Sequence, residues 1–541
     1  MKKISVKFGL STAALLLTAC GGGSDSSNSS GAPVVTTPPP AITRSEASRF
    51  LQQTSFGPTR TSQDRVIELG YARWIDEQIA LPATPQLPAL LAYGAQPSQG
   101  DRIAVWLRAA VTGDDQLRQR MAFALSQILV VSERSNLAGF PDALASYQDL
   151  LARNAFSNFR GLIEEVTLHP AMGRYLSMLG NQKPNAALNI RPDENYAREL
   201  MQLFTIGLAE LENDGRAKLD SQGRAIPTYD LDTVKGFAHV FTGWTFGGTP
   251  SWYQPNVDHR RPMQSFVDFH DTGSKRLLRG TVLPANQSPQ KDLSDALDNI
   301  FSHPNVGPFI SSQLIQRFVT SNPSPAYVAR VVDKFNNNGN GVRGDLAAVV
   351  RAILLDDEAR NPPANATGKL TEPLIRLTAV WRAFGARAAN GEYRGEFLDF
   401  ALGQGPYRSP SVFNFYKPGY APPGEMRDAG LVAPELEITN ESTAALTANI
   451  LAIYCYVNNS TATNLKPEDI FLDYSAELPV AADSNALLNR VADKLTGGAL
   501  SSELRTEALA AIERVPANLP AGRIAEAIYA ITTSPEYATL R

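Results

Sequence analysis

Apolar residues recur at helical spacing along most of this chain from about residue 45 onward. Leu117, Met121, Leu125 and Ile128 form one stripe, after a start marked by Asp114 and Asp115. Similar stripes predict helices over 143–155, 159–168, 171–179, 292–301, 306–320, 327–335, 346–355, 372–384, 443–456, 486–495, 503–514 and 523–532. Thr43-Arg44-Ser45-Glu46 has the form of a capping box before Phe50 and Leu51. Sustained alternation with period two is almost absent. The predicted fold is therefore mainly α: a large multi-helix body of one or two subdomains, with little β. Long irregular loops are expected over 245–290 and 405–435, where Pro, Gly and aromatic residues crowd together.

Two segments stand out as the centre of that body. Over 192–207, Pro192 discourages helix before it, Asp193 can cap, and Gly207 can close a left-handed turn. At about 100° per residue, Tyr196, Ala197, Leu200, Met201, Leu203 and Phe204 share one arc. Glu194, Asn195, Arg198, Glu199, Gln202 and Thr205 fill the other, and Glu194 reaches Arg198 at i,i+4. That polar arc reads either as a solvated face or as a buried network lining a site. The second segment, 231–242, is capped by Asp230 and ended by Gly243, with Val234, Phe237, Ala238 and Phe241 on its apolar stripe. The two are expected to lie side by side.

The stretch 193–207 also resembles the signature of a bacterial envelope family known as domain of unknown function 1800. That family shows Asn-Glu-Asn-Tyr/Phe-Ala-Arg-Glu-Leu followed by Phe-Thr/Ser-Leu-Gly. Asp193 stands here for the first Asn and Ile206 for the later Leu. A second signature of the family, Phe-Thr-Gly-Trp, is present as Phe241-Thr242-Gly243-Trp244. The loop 407–424 resembles the family's late aromatic loop, and the likeness runs from about Ser45 to the chain end, including Thr533-Ser534-Pro535-Glu536-Tyr537. It implies an envelope setting without an established reaction. Members commonly lie beside genes for a secreted sulfatase-like family, domain of unknown function 1501, which implies a partner of that kind.

The N-terminus agrees with export. Lys2, Lys3 and Lys7 precede a short apolar run ending in Leu17-Thr18-Ala19-Cys20, which resembles a bacterial lipoprotein cleavage box. Residues 1–19 read as a signal peptide and Cys20 as the lipidated residue. Several acyl chains, at about 0.8 kcal/mol per buried methylene, would anchor the chain firmly. Residues 20–42 read as a Gly/Ser/Pro-rich linker and 43–541 as the helical body. The expected location is the cell envelope, with the outer membrane as the anchoring surface. Cys455, the other cysteine, lies in an apolar run and reads as core. With 50 basic and 54 acidic residues, nothing points to nucleic acid.

Candidate chemistry gathers near the two central segments. His239, His259 and His270 are interleaved with Asp258, Asp268 and Asp271. One composite has Glu194 and Glu199 facing His239 as catalytic groups, with Asp268 or His270 closing over them. His239, Asp268 and His270 would then be ligands for a divalent metal. The spacing fits no named metal motif, and Arg198 would neutralise one carboxylate, so a buried Arg–Glu network is the simpler account. His169 and His303 each precede Pro and read as turn or cap residues. Asn336-Asn337-Asn338-Gly339-Asn340-Gly341 lacks the acidic ligands of an EF-hand and reads as a turn. Asn195, Arg198, Trp244, Trp252 and Tyr416 are the candidate binding residues, the aromatics as surfaces for stacking or for gripping a partner. Two functions remain open: an envelope protein that binds or scaffolds a sulfatase-like partner, and an extracytoplasmic hydrolase, metal-assisted, acting on a polymer or ester.

Overall fold

The computed structural model describes residues 41–363 and 366–541; Cys20, the signal peptide and nearly all of the linker lie outside them. Helices carry the body. The strands are two-residue pairs: Trp244–Thr245 with Gln264–Ser265, Lys275–Arg276 with Val282–Leu283, and Lys369–Leu370 with Thr539–Leu540. This is the mainly α architecture that the apolar periodicity predicts. One hydrophobic core runs from Ala47 to Tyr537, and residues 42–541 form one compact unit. No described helix is long and apolar enough to cross a membrane.

Local chemistry sets the helix starts. Thr43 accepts from Glu46 N while the Glu46 carboxylate accepts from Thr43 N at 2.7 Å, so the capping box opens the Arg44–Thr54 helix. Asp230 accepts from Thr233 N at 2.9 Å and starts the Leu231–Val240 helix.

The segment 193–207 departs from expectation. Asp193 does accept from Asn195 N at 2.8 Å, but regular α-helix lasts only from Asn195 to Glu199. Leu200–Thr205 is π-helix, with one extra residue in the turn. The Thr205 hydroxyl donates to Leu200 O, five residues back, at 2.6 Å and fills part of the widened turn. Gly207 closes it at φ +73°, and a Cβ there would lie 2.8 Å from the Phe309 ring.

The two central segments do meet. Asn181 joins them: its side-chain oxygen accepts from Asp193 N at 2.9 Å, and its backbone oxygen accepts from Gly243 N at 2.8 Å. Tyr196 meets Phe241 edge to face at 5.0 Å, and its hydroxyl pairs with Thr167 at 2.6 Å. The turn-rich excursion after Gly207 folds back through isolated bridges Ala209–Pro227, Leu211–Ala217 and Leu219–Ala225. Asn305 pins its base, donating to Ile206 O and Ala209 O and accepting from Leu211 N. The excursion is thereby held beside the Val306–Phe318 helix.

Candidate functional site

The composite centre expected from Glu194, Glu199, His239, Asp268 and His270 does not assemble. Glu194 pairs with Arg198 at 2.9 Å, as the i,i+4 spacing predicts, on a partly exposed face beside exposed Asn195. Glu199 is turned inward and buried. Its Oε2 has no partner, and burial, against the pull of Arg198, raises its pKa. His239 Nδ1 sits 2.7 Å from Asp271, not Asp268; the His239 hydrogen bond is the main cause of an Asp271 pKa of about 2. Asp268 is exposed. His270 is fully buried, with Nδ1 2.9 Å from Thr242 O and Nε2 2.9 Å from Asp292. Both ring nitrogens are therefore engaged by groups the fold holds in place. Lys275 completes this cluster, 2.7 Å from Asp292 and donating to Asp271 O and Gly273 O. His270 is thus a staple between the loop and the Pro289–Phe301 helix. Among the described residues no three His, Cys, Asp or Glu side chains are grouped to hold a metal, so His239, Asp268 and His270 are not a ligand set here.

The other histidines are structural. His169 accepts from Ala171 N, and burial lowers its pKa to about 3; His303 accepts from Asn305 N, with burial lowering it to about 4. His259 lies between Phe140 and Phe246. The aromatic expectations divide. Trp244 and Tyr416 are core residues, not exposed platforms. Trp252 does reach the surface, its ring stacked on Phe269 at 4.3 Å beside an 81% exposed Tyr253.

A different site emerges from three distant pieces of chain. The π segment supplies Gln202 and Leu203. The excursion supplies Leu208 and Leu211. The late aromatic loop supplies Val412, Phe413, Asn414 and Tyr416. They meet across the Val306–Phe318 helix, which presents Phe309, Ser312, Gln313 and Arg317, and the cleft between them encloses about 380 Å³. Its walls are mainly apolar, and a space of this size suits a small ligand or a few residues of peptide.

The floor is charged. Arg317 is only 3% exposed, and its guanidinium stacks on the Tyr416 ring at 4.6 Å. Among the described residues it has neither hydrogen bond nor ion pair to an acidic side chain, and it borders the cleft. Behind it lies a sealed network. Glu372 Oε2 accepts from Gln127 and Gln404 at 2.7 Å each, and Tyr416 donates to Gln127 at 3.1 Å. Arg120 lies 3.8 Å from Glu372 Oε1, and Lys369 lies 3.0 Å from Glu435. Arg120 and Lys369 also donate to the Arg317 carbonyl at the C-terminal end of its helix, where the helix dipole favours cations. Burial would raise the Glu372 pKa, but Arg120, Lys369 and Arg317 outweigh it and hold it down. Three buried cations thus share two buried carboxylates, and among the described residues Arg317, the one at the cleft, is the cation of the three with no carboxylate within ion-pair distance.

The sequence reading passed over Arg317, although one signal was present. It follows Ile310 by seven residues and Leu314 by three, a charged residue on an apolar helical stripe.

The chain belongs to the family described as protein of unknown function (DUF1800), whose sequence model matches residues 49–539. No curated protein and no solved structure matches it.

Proposed function

We propose that this member of the DUF1800 family is a binding protein of the bacterial cell envelope, lipid-anchored through Cys20. Its body docks a secreted sulfatase-like partner of the DUF1501 kind in the cleft on the Val306–Phe318 helix. The observation that carries the reading is the composition of that cleft. Apolar walls with free side-chain amides and a buried cation without an ion-pair partner among the described residues suit recognition.

The test uses the full chain isolated from its own membranes, with the sulfatase-like protein quantified in the purified material. Recovery should fall at least about tenfold when Leu203 and Phe413 are both changed to Asp. Undiminished recovery with that variant, or none with the natural chain, would overturn the reading.

One observation favours a hydrolase instead. His239 is held through Nδ1 by Asp271, its side chain is one-third exposed, and Nε2 has no partner among the described residues. An imidazole oriented in this way can act as a general base. Hydrolysis of an ester or envelope polymer that is lost in His239→Gln would support that alternative over docking.

A further inference from the structure

We infer that the cleft receives the C-terminal end of an apolar polypeptide, with the terminal carboxylate seated on Arg317. This rests on the docking reading above and specifies its occupant.

Charge comes first. Leaving a guanidinium buried and unmatched is costly, and the fork of Arg donors fits a carboxylate in a two-point pairing. Among the described residues neither buried carboxylate comes within ion-pair distance of it: Glu372 has Arg120 at 3.8 Å and Glu435 has Lys369 at 3.0 Å, while Glu372 Oε1 and Glu435 Oε2 accept no hydrogen bond. Lys417 at the rim already has Glu437 at 3.5 Å. An incoming anion at the cleft would balance the excess positive charge of the cluster.

The second observation separates a peptide from a fatty or aromatic acid. Gln202 and Gln313 line the cleft with no hydrogen bond from either side-chain amide among the described residues. The Asn414 amide nitrogen is buried and unpartnered. A hydrocarbon chain would leave these groups unsatisfied, whereas the amides of a peptide backbone supply both donors and acceptors. Leu203, Leu208 and Phe309 then cover the apolar side chains of the last residues.

The experiment titrates the purified full chain with a fluorescent pool of hexapeptides ending in two leucine or phenylalanine residues. One pool has a free carboxylate and a second is amidated; dodecanoate is the third probe. The free acid should bind at least about tenfold more tightly than the amide. Arg317→Gln should erase that difference, and Arg317→Lys should restore part of it. Equal binding of acid and amide would overturn the carboxylate assignment while leaving the docking cleft standing. Binding of dodecanoate alone would assign the cleft to a lipid. No binding of any probe would overturn the docking reading as well. The acid–amide comparison needs only the natural chain, so it decides even if a variant fails to fold.

Discussion

Replacing Glu372 with Gln keeps the shape of a fully buried side chain and removes one charge from a sealed cluster. The carboxylate lies 3.8 Å from Arg120, a separation at which opposite charges attract by about 4 kcal/mol at an effective dielectric of about 20. With its carbonyl oxygen in the place of Oε2 the Gln side chain can keep both amide hydrogen bonds, but it turns an amide N–H2 toward Arg120 and loses the charge. Three buried cations would then face a single carboxylate, Glu435. Breaking a buried pair on one side costs about 3–5 kcal/mol, and the same loss is expected here. Arg317→Gln should behave differently. It gives up the stacking on Tyr416, worth about 0.5–2 kcal/mol, but relieves the unmatched charge, so the net change should be about 1 kcal/mol or less. Urea unfolding followed by both tryptophan fluorescence and far-ultraviolet circular dichroism would measure the pair, with coincident transitions required before midpoints are compared. If Arg317→Gln loses as much stability as Glu372→Gln, then Arg317 has a structural counter-charge and the argument for an excess cation fails. A loss below about 1 kcal/mol for Glu372→Gln would refute the buried pairing itself.

Two further predictions concern the central segments. Glu199 carries a raised pKa in the folded chain because it is buried. As pH rises the unfolded chain ionises it first, so its contribution to stability is full below the ordinary Glu range and is lost as pH climbs through the raised value. Glu199→Gln should remove that slope and gain about 1 kcal/mol at neutral pH, and parallel urea-midpoint curves from about pH 4 to 8 for the two chains would contradict it. At Gly236 a Cβ would lie 1.8 Å from the Arg276 carbonyl oxygen, where the Leu231–Val240 helix packs on the loop. Gly236→Ala should cost about 1–3 kcal/mol and speed hydrogen exchange over residues 271–283; unchanged exchange there would show that the contact yields.

What was legible in the sequence was local. Thr43, Asp230, Gly207 and Gly243 act where their chemistry predicted, because a cap or a left-handed turn is decided within a few residues. The pairing of Glu194 with Arg198 belongs to the same class. The π segment was not legible. Its apolar residues fit an ordinary helical arc, and the widened turn accounts for Thr205, assigned to the polar arc, being buried while Leu203 borders the cleft. One added residue rotates everything after it, and no periodicity measured over so short a stretch can resolve that.

The same reasoning explains why the expected histidine centre yielded to a cleft on another face. Counting histidines and carboxylates finds residues capable of chemistry, but it does not show whether their valences are already spent. His270 and Asp292 are adjacent and ionisable, yet Thr242 O, Lys275 and Gln287 satisfy them, so their proximity is architectural. Arg317 is a single residue in no motif, and among the described residues no carboxylate lies within ion-pair distance of it. Function is better sought where a buried group remains unsatisfied than where reactive residues are dense. By that criterion Gln202, inside the stretch that carries the family's first signature, and Asn414, in its late aromatic loop, share a role that their separation in sequence conceals. Both line the cleft that Arg317 borders.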